Sequence, residues 1–73
     1  MASAPPISVG QRYRDIQLRN FGRPGLEWVV RDLLTGTDGV AYARLVCAGD
    51  PTRLKTLSFT VLADRHRFQR LDR

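Results

Sequence analysis

The sequence holds one cysteine, one histidine and one lysine, and these scarcities exclude whole classes of chemistry. A lone Cys47 rules out a disulfide within the chain. Cys47 and His66 together cannot close a four-ligand zinc site. The acids Asp15, Glu27, Asp32, Asp38, Asp50, Asp64 and Asp72 follow neither a calcium-loop nor a paired-carboxylate spacing. No metal and no cofactor are expected. Gly22-Arg23-Pro24-Gly25 lacks the Gly-Lys-Ser/Thr ending and the following helix of a nucleotide cradle. No apolar run approaches the length of a bilayer span, so no membrane association is expected. Met1–Gly10 has neither a basic start nor a long apolar stretch, which argues against a secretory leader. An unpaired thiol suits a reducing compartment, and the cytoplasm is the expected location.

What is present is positive charge. The 73 residues carry a formal net charge of +5, nearly all of the cationic side being arginine, with Lys55 the exception. Such a balance favours anionic partners: nucleic acid, an acidic protein or anionic lipid. The same arginines also read as an ordinary solvated surface, because the guanidinium is permanently charged and its stem packs on apolar neighbours. A chain this short makes one domain with a modest core, so good packing or self-association must supply its stability.

Along the chain, residues 1–9 read as a disordered tail, extended by Pro5-Pro6, and residues 10–73 as a single small β domain. Gln11–Ile16 suits a first strand with Tyr13 inward. Leu18–Gly25 is a loop rich in breakers. Leu26–Leu34 is the clearest strand, with Leu26, Trp28 and Val30 on one face and Glu27, Val29 and Arg31 on the other. Asp38-Gly39 between two apolar runs signals a tight hairpin, since Gly tolerates the positive φ. Val40–Ala48 returns, with small residues on one face that invite close approach by another element. Gly49–Thr52 reads as a turn at which Pro51 breaks the strand, followed by a strand over Arg53–Phe59. Thr60–Arg67 suits a short helical turn capped by Ser58 or Thr60, with a full helix over 58–68 as the alternative. Phe68–Leu71 closes the chain as a short strand.

This order resembles a Src-homology-3-like barrel: a long first loop, central hairpins and one helical turn before the last strand. The resemblance covers about residues 10–71 and implies five antiparallel strands closed into a small barrel. The chain is also similar to small, functionally uncharacterised bacterial proteins of that type, through Val9-Gly10-Gln11-Arg12-Tyr13-Arg14-Asp15 and through Lys55-Thr56-Leu57-Ser58 ahead of Phe68. It departs from peptide-binding Src-homology-3 domains, which carry an Ala-Leu-Tyr-Asp-Tyr segment and paired tryptophans. It also lacks the glycine-centred motif of ribosomal and transcription-factor barrels.

No catalytic residue is assigned, and no enzyme is expected. His66 stands among arginines that disfavour the imidazolium a general base must form. Cys47, late in an apolar strand, reads as a small buried hydrophobe rather than a reactive thiol. The candidate site is cationic: Arg65, His66, Arg67 and Arg70 around Phe68, with Arg53 and Lys55 on the preceding strand and Arg12 and Arg14 on the first. Asp64–Arg73 alone holds four arginines against two aspartates. Arginine forks match phosphate oxygens, and an exposed aromatic stacks on a base. In so small a core Phe68, Tyr13, Tyr42 and Trp28 are expected inside. Two functions follow: a non-enzymatic module that binds nucleic acid through an arginine-rich face, or a protein-interaction module or small homo-oligomer with no nucleic-acid role.

Overall fold

The Asp38-Gly39 turn signal and the alternation around Trp28 carry into a computed structural model that describes residues 7–17 and 25–71. Five strands and one helical turn follow in order: β1 Arg12–Asp15, β2 Glu27–Thr35, β3 Ala41–Cys47, β4 Asp50–Ser58, α1 Phe59–Leu62 and β5 Phe68–Leu71. The strands form one antiparallel sheet in the order β4-β3-β2-β1-β5. The chain is therefore mostly β, as expected. Closure into a barrel is not observed: β4 and β5 stand at opposite edges, and no ladder joins them. All four residues of β5 pair with β1, which leaves its other flank an open edge.

The hairpin between β2 and β3 forms at Asp38-Gly39, where Gly39 has φ +80° and Asp38 Oδ1 accepts the Val40 N–H. Trp28 and Val30 are buried on one face of β2, and Ala43, Leu45 and Cys47 answer them from β3. A bulge between Val30 and Asp32 then inserts Arg31. It shifts the phase of the strand, so Leu33 rather than Asp32 lies opposite Ala43.

The expected break at Pro51 is corrected. The turn is confined to Ala48-Gly49, and β4 already begins at Asp50. The ladder jumps from Val46–Leu54 to Cys47–Asp50, so 51–53 have no partner across the strand pair. An edge strand accommodates a proline in such a stretch because no N–H is demanded of it. At its other end β4 stops at Ser58, one residue short of the expected Phe59. Ser58 is extended, and its Oγ accepts the Val61 N–H, so it is the N-cap of α1. The helical segment is one turn, not a full helix over 58–68.

That turn contacts β3 and β4 and lays Leu62 into the core with Tyr13, Trp28, Val30, Ala43, Leu45, Cys47 and Phe68. The small Ala43 allows this close approach. Leu45, Leu62 and Val30 are the largest fully buried side chains, each contributing about 1.5–3 kcal/mol of burial. Of the tail expected over 1–9, residues 1–6 lie outside the described residues, while Ile7 packs against the core. The loop expected over Leu18–Gly25 lies outside them as well, apart from Gly25. No described helix is long and apolar enough to cross a membrane.

Candidate functional site

Residues directly opposite in an antiparallel ladder share a face, so the register sorts the arginines. The face that α1 covers holds Tyr13, Trp28, Val30 and Leu45. Lys55 lies opposite Leu45, and Arg70 opposite Tyr13, which places both on this helix-side face. Arg12 lies opposite Val29 and Leu71, and Arg14 opposite Glu27 and Gln69, which places both on the outer face. The eight candidate residues therefore do not share one side of the sheet. Arg65 and His66 are exposed in the turn between α1 and β5, Arg67 is half-buried at its end, and Arg53 is exposed in the unmatched stretch of β4.

The two sets also differ electrostatically. Arg12 Nη1 donates to Glu27 Oε2 at 2.6 Å, and Arg14 Nη2 lies 3.6 Å from Glu27 Oε1. Arg31 and Asp32 make a looser pair at 3.9 Å beside the bulge. Among the described residues no carboxylate lies within salt-bridge distance of Arg53, Lys55, Arg65, Arg67 or Arg70. The acids nearby in sequence serve the backbone instead. Asp64 Oδ1 accepts the His66 N–H at 2.9 Å, which fixes the turn. Asp50 Oδ1 accepts both the amide and the hydroxyl of Thr52, and these hydrogen bonds, with the charge of Arg53 a smaller aid, hold its carboxyl below the ordinary value.

Around β5 the arginines are short of acceptors. Arg67 packs its guanidinium 5.7 Å from the centre of the Phe68 ring. Arg70 Nη2 donates to Gln11 Oε1 at 2.7 Å, and Gln11 Nε2 in turn donates to the Leu71 carbonyl. Gln11 thus orients Arg70, a role with no sequence signal beyond its place beside β1. The Nε atoms of Arg14, Arg67 and Arg70 are all buried and have no hydrogen-bond partner among the described residues. All three belong to the β1–β5 ribbon: Arg14 faces Gln69 of β5, Arg67 directly precedes β5 with its carbonyl accepting the Ile16 N–H, and Arg70 lies within β5.

Three of the four aromatics expected in the core are there, and Tyr42 is not. Phe68, Tyr13 and Trp28 are buried, and none offers a free face for base stacking. Burial raises the Tyr13 phenol above its ordinary pKa, and the nearby Arg70 charge opposes this. Tyr42 instead lies opposite Ser58 and Leu34 on the outer face, and its hydroxyl donates to Asp38. Trp28 carries a second feature the sequence did not signal: Lys55 Nζ stands 4.2 Å from its ring centre. Cys47 is buried, as a structural cysteine should be. Among the described residues no three His, Cys, Asp or Glu side chains gather as a metal site. Comparison with known proteins gives no relative for this arrangement: no family model, no curated protein and no solved structure matches the chain.

Proposed function

We propose that the protein is a small, non-enzymatic binding module that takes nucleic-acid phosphates along the β5 edge of its sheet. One observation carries this reading. Among the described residues, three of the four buried side-chain nitrogens that lack a partner are arginine Nε atoms, and all three flank β5. A buried N–H without an acceptor is costly. A phosphate oxygen is the acceptor that suits a guanidinium, because the fork of Nε and Nη donors matches two anionic oxygens. Arg65 and His66, exposed beside Arg67, extend the positive strip. The strand order with a single helical turn ahead of β5 supports a Src-homology-3-like reading of the sheet, left open rather than closed. The cytoplasm, where nucleic acid is available, is part of the same proposal.

The test is an NMR titration of the labelled protein with short single- and double-stranded nucleic acids, first at low salt and then at about 200 mM. Shifts gathered on Arg14 and Arg65–Leu71 that shrink as salt rises support the reading. No shifts at low salt overturn it. They turn attention to the protein-interaction reading, which rests on the uncovered outer face, where Leu54 is 52% exposed beside Val46 and Val29. Sedimentation at high concentration tests that alternative.

A further inference from the structure

The fourth buried donor without a partner is the indole Nε1–H of Trp28, and it lies apart from β5. Tryptophan N–H groups ordinarily find a partner when buried. Above the same ring stands the ammonium of Lys55, 4.2 Å from its centre. An indole presents a negative face and a positive N–H edge. Lys55 takes the face, and the edge is left with nothing to donate to. We infer that Trp28 Nε1 and Lys55 Nζ form a binding site for a small oxyanion, a phosphate group above all, on the helix-side face near the β4 edge.

The surroundings favour a ligand of that sign. Lys55 has no carboxylate within salt-bridge distance among the described residues, and it belongs to an edge strand whose outer flank is unpaired. Its side chain is half-buried and its ammonium stands over the ring, a contact worth about 0.5–2 kcal/mol. In the inferred site an anion at the N–H edge draws this ammonium towards it. The register puts two acids, Asp15 and Asp50, on the same face. Both are engaged locally, Asp15 Oδ1 by the Gln17 amide and Asp50 Oδ1 by Thr52. An entering oxyanion accepts the indole N–H and pairs with the ammonium, which satisfies a buried donor and a lone cation in one step.

Trp28 is the only tryptophan, so its indole N–H gives one resolved proton–nitrogen signal. The experiment follows that signal while inorganic phosphate is added to the full chain, with chloride holding ionic strength constant. The expected result is a saturable downfield shift. Lys55→Gln should weaken the response about tenfold, the loss of one charge-assisted contact. Arg44→Gln, which removes the same charge from the outer face opposite Thr56, should not. Trp28→Phe should abolish phosphate-induced shifts at neighbouring amides, and the two charge variants keep the test decisive if that protein does not fold. An unmoved indole signal, or equal binding by the Lys55 and Arg44 variants, overturns the inference. A short oligonucleotide separates the sources of phosphate and the two readings. If it binds along β5 while the indole stays still under both titrants, the site at Trp28 falls and the β5 reading stands. If free phosphate moves the indole and the oligonucleotide does not bind, the site stands and the β5 reading falls.

Discussion

Gly25 runs so close to Asp15 that a Cβ on it would stand 1.5 Å from the Asp15 carbonyl oxygen. The approach is backbone to backbone, just where Asp15 N–H donates to the Leu26 carbonyl to start the β1–β2 ladder. A side chain there cannot rotate away, so one strand must shift. Gly25→Ala is expected to cost about 3 kcal/mol or more, measured by chemical denaturation. Gly49 is the matched control, since its Cβ would meet nothing within 4 Å. Gly49→Ala should be neutral or stabilise by about 0.5 kcal/mol, through the lower entropy of the unfolded chain. Equal effects at the two glycines would contradict the close approach.

Ser58→Ala should destabilise by about 1 kcal/mol, because the Val61 N–H then loses the hydroxyl that caps α1. Thr60→Ala should do much less, since Thr60 is exposed inside the turn and caps nothing. The pair separates the two cap candidates that the sequence offers. A Thr60 effect as large as that of Ser58 would reassign the start of the helical turn.

How much of this was legible beforehand follows from the range of the interaction involved. Asp38-Gly39 and Ser58 act on residues two or three away, and both did what their chemistry demands. Trp28 and Val30 alternate within one strand, and their burial followed. The failures are non-local. Nothing in Pro51 itself says that its strand will be an edge, where a missing N–H is harmless. Nothing in Arg31 says that it will be the bulged residue that changes the phase of β2. The same limit of range applies to the candidate site. The cationic residues were visible, but their division between faces depends on which strand lies beside which. Arg14 and Arg70 look alike in sequence, and register puts them on opposite sides of the sheet.

Tyr13 gives a pH dependence with a defined sign. Burial raises its folded-state pKa above the ordinary tyrosine value, against a smaller lowering by Arg70. Below about pH 10 the phenol is neutral in both states and its burial counts in full. As pH rises past about 10 the unfolded chain ionises first, so stability falls until the folded-state value is passed. Tyr13→Phe should therefore show a shallower loss of stability between about pH 9.5 and 11 than the parent. Tyr42, raised by its hydrogen bond to Asp38 and by that carboxylate's charge, works in the same direction from the surface. Tyr42→Phe is the comparison that isolates the buried phenol. Parallel decline of the parent and the Tyr13 variant would remove Tyr13 as the source.

Salt dependence distinguishes the β5 arginines from those already spent within the fold. Arg12 is bound to Glu27 at 2.6 Å, and a phosphate must compete with that carboxylate. Arg70 is oriented by the neutral Gln11, and Arg67 by the Phe68 ring, so neither gives up an ion pair to bind an anion. Each phosphate neutralised on a duplex contributes about 0.9 to the slope of log affinity against log salt. Arg67→Ala and Arg70→Ala should each lower that slope by about one and weaken binding to all sequences alike, as phosphate contacts do. Arg12→Ala should change the slope by less, because Glu27 already neutralises that guanidinium within the fold. If Arg12→Ala flattens the slope as much as Arg70→Ala, the phosphates lie on the outer face, and the unsatisfied Nε atoms around β5 have another cause.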